Sequence, residues 1–221
     1  CNVTLPHKEA VLPLLDELDP LARAIGAVNT VTIDAQGRLC GANTDGSGFL
    51  AHLDASVAGW RDEVRGVVLI GAGGAARALT AAFIQHGVAE LTLVNRTAER
   101  AAALVDQLDP GATRLAARGW EGRAAALAAA DLVVNTTSLG MTGEPPLDLP
   151  LELLPAHAIV ADIVYAPLAT ALLIDARVRG HRTVDGLGML LHQAVPGFRH
   201  WGGVTPEVDG PTRAVLEVTL G

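Results

Sequence analysis

One lysine stands out among the residues that could carry out chemistry. Fifteen of the sixteen basic residues of this 221-residue chain are arginine, and Lys8 is the only lysine. A lysine ammonium can release and take back a proton, whereas an arginine guanidinium stays charged near neutral pH. Lys8 also follows Pro6 on the first turn of a predicted helix through Leu18, a position mildly unfavourable for a cation. Either one lysine has survived by chance in an arginine-rich composition, or proton transfer requires it.

Two further segments place polar side chains where a ligand could meet them. The predicted strand Ala27–Ile33 carries Asn29 and Thr30. The string Asn43-Thr44-Asp45-Gly46 puts a carboxylate at the start of the next predicted helix. Capping of that helix explains an aspartate there by itself. The role of Asp45 therefore stays open between helix capping and contact with a ligand.

A glycine-rich loop lies between a predicted apolar strand, Val67–Ile70, and a predicted helix, Arg77–His86. The loop Gly71-Ala72-Gly73-Gly74-Ala75-Ala76 matches the pattern G-x-G-x-x-A in the context that a dinucleotide site requires. The first glycine allows a tight turn, and the second lets the backbone approach a pyrophosphate. The free N–H groups at the amino terminus of the helix favour an anion. The sequence therefore predicts a dinucleotide-binding site.

The end of the next predicted strand, Leu91–Val94, indicates which dinucleotide is bound. An NAD enzyme carries an Asp or Glu there to hydrogen-bond the ribose hydroxyls. This chain instead has Asn95-Arg96-Thr97, with Arg100 one turn further on. Two guanidinium groups can grip a 2′-phosphate, which only NADP carries. We therefore predict NADP as the cofactor, the alternative being that both arginines are ordinary surface residues.

The order of the predicted elements indicates the fold class. Strands and helices alternate between Gly66 and Asp185, which is typical of a parallel, doubly wound Rossmann sheet. The segments at both chain ends do not fit that sheet. We therefore predict an α/β protein in which residues 46–185 form the NADP-binding Rossmann domain. Residues 1–45 form a smaller α/β substrate domain, and the C-terminal helices of residues 186–221 return to it.

These strings resemble the signatures of the shikimate dehydrogenase family. The family patterns are N-V-T-x-P-x-K, A-V-N-T, N-T-D-G-x-G, G-A-G-G-A, N-R-T-x-x-R, N-T-T/S-x-x-G-M, D-x-x-Y-x-P and G-x-x-M-L-x-x-Q-A. In this sequence they occur, in that order, at Asn2–Lys8, Ala27–Thr30, Asn43–Gly48, Gly71–Ala75, Asn95–Arg100, Asn135–Met141, Asp162–Pro167 and Gly186–Ala194. The resemblance therefore covers nearly the whole chain.

The resemblance implies an oxidoreductase that uses NADPH to reduce 3-dehydroshikimate reversibly to shikimate, in chorismate and aromatic amino acid biosynthesis. It implies that Lys8 is the general acid–base at the C3 oxygen of the substrate, and that Asp45 hydrogen-bonds that oxygen and Lys8. Ile163 and Gly186 are implied to border the nicotinamide. The residues implied to hold the substrate are Thr4, Asn29, Asp45, Tyr165 and Gln193. A proton carrier beside a carboxylate suits a reaction in which hydride and proton leave the same carbinol group.

The sequence departs from the family at its beginning. The family has a stretch ahead of N-V-T with the first strand of the substrate domain and a pair of serines that bind the substrate carboxylate. Nothing in this sequence corresponds to that stretch, so we expect a truncated chain. There are two alternatives to a shikimate dehydrogenase. One is a quinate/shikimate dehydrogenase of the same fold, which often accepts NAD. The other, which truncation would produce, is an NADP-binding module without catalysis. The arginines Arg96 and Arg100 argue against the first alternative.

The composition argues against several other classes of function. The net charge is −8 with no basic stripe, which argues against nucleic acid as a partner. No apolar run approaches the roughly 20 residues that span a bilayer, so we expect no membrane insertion. Cys1 and Cys40 form no disulfide framework, and the seven histidines lack the spacing of metal ligands. We expect a cytoplasmic enzyme without a metal, either a monomer or a homodimer, that acts on a small molecule.

Overall fold

The structure, a computed structural model, describes residues 1–4, 6–108 and 110–220. Its strands are β1 (Glu17–Leu18), β2 (Thr30–Ile33), β3 (Leu39–Ala42), β4 (Gly66–Ile70), β5 (Glu90–Asn95), β6 (Arg114–Gly119), β7 (Leu132–Asn135), β8 (Ile159–Asp162) and β9 (Arg182–Val184). They form a three-stranded sheet with the order β1-β3-β2 and a six-stranded sheet with the order β6-β5-β4-β7-β8-β9.

The larger sheet is apolar because both of its faces are covered. All of its neighbouring strands are parallel. Val67 and Leu69 of β4 belong to one apolar cluster with Phe83, whereas Val68 and Ile70 belong to another on the opposite face. The order of the strands reverses between β4 and β7, and ligands of such sheets bind at the carboxyl ends of the strands at that point. The predicted fold class is confirmed.

The helices flank this sheet and connect it to the smaller one. They are α1 (Pro20–Ile25), α2 (Asp45–Ser56), α3 (Trp60–Glu63), α4 (Gly74–His86), α5 (Ala98–Gln107), α6 (Arg123–Leu127), α7 (Ala171–Val178), α8 (Gly186–Gly202) and α9 (Gly210–Leu220). The prediction that α8 ends near Val195 was wrong. The helix continues through Pro196 and ends where Gly203 takes the left-handed conformation, with φ of 68°.

The region around Lys8 is not the predicted helix. Residues 8–11 form turns, followed by a short 3-10 helix, Leu12–Leu14, and by β1. The physical reason is Pro13, which lacks the N–H that an α-helix through Leu18 would need. Lys8 therefore does not lie on the first turn of an α-helix, as predicted, although it is still the only lysine among fifteen arginines.

The smaller sheet is extended by the beginning of the chain. Val3 N–H donates to the Asn29 carbonyl at 2.8 Å, and Val31 N–H donates to the Cys1 carbonyl at 2.9 Å. The predicted strand Asn2–Leu5 is reduced to a bridge between Asn2 and Thr30, and its last residue lies outside the described residues. This pairing places the segment that leads to Lys8 beside Asn29.

Helix α2 connects the two sheets. It follows β3 directly and packs against α4 and α8. Its apolar side chains Phe49 and Leu53 are fully buried in the same cluster as Val67 and Leu69. The first turn of α2 therefore lies between α4 and α8, with Gly46 against Ala78 and Gly48 against Gln193. No helix in the described part of the chain is long and apolar enough to cross a membrane.

Candidate active site

Lys8 and Asp45 form a close ion pair between the two sheets. Lys8 Nζ lies 2.5 Å from Asp45 Oδ2, and the two side chains are 13% and 4% exposed. A charge-assisted hydrogen bond of this length between mostly buried groups is strong and fixes the position of the ammonium. The arrangement presents a proton donor and an acceptor at one point.

Asn29 fixes the other side of the Asp45 carboxylate. Its Nδ2 lies 2.8 Å from Asp45 Oδ1, 2.9 Å from Thr44 Oγ1 and 3.1 Å from Gln193 Oε1. Its Oδ1 accepts a hydrogen bond from Thr44 N–H at 2.9 Å. All four side chains are buried, and their mutual hydrogen bonds offset the cost of removing polar groups from water. The result is a polar cluster, formed by Lys8, Asn29, Thr44, Asp45 and Gln193.

The local sequence explains why Asp45 is free for this role. Thr44 occupies the N-cap position of α2, and Asp45 is the first helical residue. Asn43 Oδ1 accepts the hydrogen bond of Asp45 N–H at 3.0 Å, while Asn43 Nδ2 donates to the Ala27 carbonyl. A carboxylate in the first turn is also favoured by the helix dipole. Asp45 therefore does not cap the helix with its side chain, which contacts Lys8 and Asn29 instead.

The other predicted substrate residues lie differently. Gln193 is buried in the polar cluster, with its Nε2 donating to the Leu190 carbonyl at 3.0 Å. Thr4 and Tyr165 are exposed, and neither side chain makes a hydrogen bond within the described residues. Hydrogen bonds therefore connect Lys8, Asn29, Asp45 and Gln193, and the side chains of Thr4 and Tyr165 take no part in them.

A groove of about 420 Å³ lies at the carboxyl ends of β4, β5 and β7. Gly71 turns the chain there with φ of +121°, and a Cβ at this position would lie 2.5 Å from Thr136 Oγ1. Only glycine fits such a turn. The lining residues are Ile70, Gly71, Ala72, Gly73, Val94, Asn95, Arg96, Arg100, Trp120, Thr136, Thr137, Ser138, Leu139 and Glu144. Six of the predicted cofactor residues therefore line one groove: Gly71, Ala72, Gly73, Asn95, Arg96 and Arg100. The other five are not among its lining residues: Gly74, Ala75, Thr97, Ile163 and Gly186.

The groove has the groups that a phosphorylated dinucleotide needs. A side chain at Gly73 would meet nothing within 4 Å, so a ligand can approach the backbone there. No side chain caps α4, and its first N–H groups can bind a pyrophosphate. Arg96 and Arg100 are exposed, and neither guanidinium has an ion-pair or hydrogen-bond partner among the described residues. Asn95 Nδ2 donates to the Thr97 carbonyl at 2.9 Å and stabilises this strand end. NADP fits the residues present.

The polar cluster meets the glycine-rich loop of the groove at Lys8. A Cβ on Gly74 would lie 3.5 Å from both Cβ and Cδ of Lys8, so the stem of the lysine rests on the loop that begins α4. At the beginning of α8, a Cβ on Gly186 would lie 2.3 Å from the Ile163 carbonyl oxygen. The two residues predicted to border the nicotinamide are therefore in direct contact with each other.

A buried carboxylate, Asp162, connects the loop after β7, which lines the groove, with the loop after β8. Asp162 is 1% exposed, and its oxygens accept hydrogen bonds from Asn135 Nδ2, Val164 N–H and Thr170 Oγ1 at 2.8–3.0 Å. Burial raises the pKa of Asp162 to about 6, against these three hydrogen bonds, which lower it. The Asn135 oxygen in turn accepts from Thr137 N–H at 3.0 Å. Asp162 therefore connects the loop after β7 with the loop after β8.

Sequence reasoning missed several of these residues. Thr44 and Asn43 stood in a quoted string without a role, and Trp120 was not considered. Thr136 to Leu139 belonged to the string Asn135–Met141, whose resemblance to a family signature was the one available signal. Asp162 had the same kind of signal in the string Asp162–Pro167.

Comparisons with known proteins show the family to which this chain is similar. Residues 1–31 match the family model described as shikimate dehydrogenase substrate binding domain. Residues 57–141 match the model described as shikimate / quinate 5-dehydrogenase. A shikimate dehydrogenase (NADP(+)) of Azorhizobium caulinodans is 52% identical over 219 residues, which are 99% of this chain and 76% of the relative. One of Methylobacterium radiotolerans is 56% identical over 214 residues, covering 96% and 75%. The chain belongs to the shikimate dehydrogenase family.

Solved structures show the same architecture. The shikimate 5-dehydrogenase of Thermus thermophilus, in complex with NADP(H) and shikimate, has a TM-score of 0.81 and 38% identity. The match covers 99% of this chain and 77% of that one. The quinate dehydrogenase of Corynebacterium glutamicum, in complex with NAD, has a TM-score of 0.88 and 40% identity over 97% and 76%.

Proposed function

We propose that the protein is a shikimate dehydrogenase that interconverts shikimate and 3-dehydroshikimate with NADP. The observation that carries this proposal is the Lys8–Asp45 pair, 2.5 Å long, whose lysine stem rests on the loop of the dinucleotide groove. A proton carrier and a hydride acceptor must converge on one carbinol group of the substrate. The family and the curated relatives support the same reaction.

The residues of the polar cluster perform the proton chemistry. In the oxidation of shikimate, Lys8 accepts the proton of the C3 hydroxyl, and Asp45 hydrogen-bonds that oxygen and stabilises the ammonium that results. In the reduction, Lys8 returns the proton to the same oxygen. NADP, when bound in the groove, supplies the nicotinamide carbon that takes or gives the hydride. Asn29 keeps Asp45 oriented through its 2.8 Å hydrogen bond.

Neutral polar side chains suit a substrate that carries several hydroxyl groups. Asn29 and Gln193 already lie in the cluster, and we assign Thr4 and Tyr165 to the open side of it, where both are exposed. Each satisfied hydroxyl disfavours analogues that lack it, because the protein group would then be left unpaired. In this proposal residues 1–45 with 186–221 bind the substrate, and residues 46–185 bind NADP.

The test is a direct assay of the chain with both ligands. Shikimate and NADP together should give NADPH absorbance, and neither should give it alone. Failure to form NADPH, with calorimetry showing that both ligands are bound, would favour a non-catalytic NADP-binding module. The same calorimetry with NAD tests the cofactor, because Arg96 and Arg100 should make NADP the tighter ligand.

A second candidate is quinate oxidation. The structural likeness to a quinate dehydrogenase bound to NAD favours it, whereas the unpaired arginines at the strand end favour NADP and shikimate. Quinate with NAD, assayed in parallel, separates the two. Faster turnover of quinate with NAD than of shikimate with NADP would select this second candidate.

We further propose a cytoplasmic monomer or homodimer that binds no nucleic acid. The net charge of −8 and the two free cysteines support this proposal. Light scattering of the purified chain, with and without ligands, measures the oligomeric state.

A further inference from the structure

Asp185 lies at the junction of β9 and α8 and caps the helix. Its Oδ1 accepts hydrogen bonds from the backbone N–H groups of Leu187 at 3.0 Å and Gly188 at 3.4 Å. Such a cap fixes the first turn of a helix and is worth about 1 kcal/mol in typical proteins. Here the capped turn begins with Gly186, which contacts the Ile163 carbonyl. The cap therefore fixes the turn that contacts the Ile163 carbonyl oxygen just after β8.

Arg213, from the last helix, holds the same carboxylate. Its Nη2 lies 2.8 Å from Asp185 Oδ2 and its Nη1 lies 3.3 Å from Asp185 Oδ1. In the described part of α9 only Arg213 and Leu216 are partly covered, and every other side chain is exposed. Little apolar burial therefore attaches α9 to the protein, and the ion pair is its main polar contact with α8.

The position of α8 matters because the helix carries substrate and cofactor groups on one face. Gly186 and Gln193 are seven residues apart, or about two turns, so both point to the same side. Gln193 Oε1 lies 3.1 Å from Asn29 Nδ2, and its backbone carbonyl accepts from Thr44 Oγ1 at 2.8 Å. A shift or roll of the first turn would therefore move Gln193 relative to Asn29.

A second partner for Asp185 lies close by. His52 is buried, and its Nε2 has no hydrogen bond and lies 3.8 Å from Asp185 Oδ1. Its ring packs on α8 so closely that a Cβ on Gly188 would lie 1.9 Å from the ring. Burial lowers the pKa of His52, and the charges of His192 and Arg213 lower it further, against Asp185, which raises it. Of the two partners, Arg213 is therefore the closer one to the Asp185 carboxylate.

We propose that Asp185 and Arg213 are positioning residues for the reaction, which fix the first turn of α8 and thereby place Gln193 and Gly186 in the active site. The inference rests on the proposed function. It assigns a role in catalysis to α9, whose described side chains lie neither in the polar cluster nor among the lining residues of the groove. Loss of Arg213 should let Asp185 rotate and loosen the beginning of α8.

The first test does not depend on activity. Amide hydrogen exchange is measured on the wild-type chain, on Arg213→Gln and on Glu217→Gln, which removes the other ion-pair partner of Arg213 but leaves Asp185 paired. Arg213→Gln should speed exchange between Leu187 and Gln193 by about fivefold or more, while Glu217→Gln should not. Unchanged exchange along α8 in Arg213→Gln would overturn the proposal, whether or not the chain turns over shikimate.

The second test separates positioning from stability. Arg213→Gln should raise the KM or the Kd for shikimate about tenfold, because small misplacements of a binding group are costly. The KM for NADP should change little, since the residues that would hold its phosphate groups belong to other elements. Asp185→Asn keeps a capping side chain but loses the ion pair, and it should raise the same constant. A variant that only lowers the Tm, with the shikimate constant unchanged, would show a merely structural role and sink the proposal. Arg213→Lys should recover part of the loss.

Discussion

The polar cluster and the dinucleotide groove differ in burial and in whether their charged groups already have partners. In the cluster, Asn29 and Asp45 are 2% and 3% exposed, and each polar atom faces a partner from the protein. In the groove, Arg96 and Arg100 are exposed, and within the described residues their guanidinium groups have no partner. Proton transfer requires donors and acceptors that are already placed when the substrate arrives. An arginine that recognises a phosphate needs no partner in the free protein, because the phosphate of the ligand supplies the negative charge.

The difference has an energetic consequence. A buried polar cluster is stable only while its members are all satisfied, and removal of one leaves the others unpaired at a cost of about 1–3 kcal/mol each. An exposed arginine can be removed with little effect on the fold. Substitutions in the cluster should therefore affect turnover and stability together, whereas substitutions of the groove arginines should affect the binding of NADP alone.

The strongest test of the cluster is its lysine. Lys8→Ala should lower kcat by about 10²–10⁴-fold, the usual contribution of general acid–base catalysis. The KM should change less, because the interaction strengthens mainly as the proton moves. Steady-state kinetics with shikimate and NADP measure both, and Glu9→Gln serves as a neighbouring control.

Lys8→Arg decides between charge and proton transfer. It retains the positive charge beside Asp45 but cannot release a proton near neutral pH. We expect it to be nearly as slow as Lys8→Ala. If Lys8→Arg kept most of the turnover, the lysine would be an electrostatic anchor, and Asp45 or a water molecule would have to carry the proton.

The buried carboxylate of Asp162 should make the stability of the protein depend on pH. Its pKa is raised from 3.8 to about 6 in the folded protein, so the folded state binds more protons than the unfolded chain between these values. The contribution to stability is therefore complete below about pH 4 and is lost as the pH rises through 6. A shift of about two units corresponds to about 3 kcal/mol at 1.36 kcal/mol per unit.

Denaturant unfolding of the wild type and of Asp162→Asn across pH 4–7 measures this effect. Other carboxylates have lowered pKa values and oppose it, among them Asp54 and Asp131, but they are common to both proteins. Relative to Asp162→Asn, the wild type should lose free energy of unfolding as the pH rises. A difference that does not vary with pH would show that Asp162 keeps an ordinary pKa.

These two regions were also unequally predictable from the sequence. The glycines and the arginines of the groove are visible in the sequence, since each of the two short strings follows a predicted strand and precedes a predicted helix, and their contact with a cofactor stays a prediction. In the cluster, the sequence shows that Lys8 is the only lysine. Its pairing with Asp45, however, depends on how the first residues of the chain pair with β2. Thr44 was missed because its partners, Asn29 and Gln193, are distant in sequence. Resemblance to the family assigned Asp45 and Gln193, which spacing alone could not.

Local errors had local causes. The helix predicted through Leu18 ignored Pro13, which interrupts it. The predicted end of helix α8 near Val195 is one residue before Pro196. The helix continues through Pro196 because its packing outweighs the lost hydrogen bond, and it ends at Gly203. The burial of Asp162 follows from the place of β8 inside the sheet, between β7 and β9. No local pattern carries that information.

The groove arginines should set the choice of cofactor. Arg96→Ala and Arg100→Ala should each weaken NADP by about ten- to a hundredfold, since a charge-assisted contact is worth about 1.5–3 kcal/mol. The Kd for NAD should hardly change, because NAD lacks the 2′-phosphate. Arg65→Ala, an exposed arginine just ahead of β4 at the opposite edge of the sheet, is the control. Equal losses for NAD and NADP would mean that these arginines act on a shared part of the cofactor.

The smallest expected effect concerns the aromatic wall of the groove. Trp120 lines the groove with Arg100, and its ring carries the Arg123 guanidinium 4.7 Å from its centroid. A ligand in the groove should therefore change the emission of Trp120, whereas Trp60 is fully buried and Trp201 lies over β2. Trp120→Phe should abolish this change and weaken NADP about two- to fivefold, in line with about 0.5–1 kcal/mol for an aromatic contact.

Trp201→Phe is the matched control for that measurement. It removes the other partly exposed tryptophan and should leave both the NADP-dependent emission change and the Kd as they are. If the change survived in Trp120→Phe and vanished in Trp201→Phe, NADP binding would reach the smaller sheet. The groove would then be coupled to the polar cluster rather than independent of it, because Trp201 Nε1 donates to the Val31 carbonyl at 3.3 Å, two residues from Asn29. That result would contradict the contrast between a cluster that is already paired within the protein and a groove whose groups pair only with the ligand.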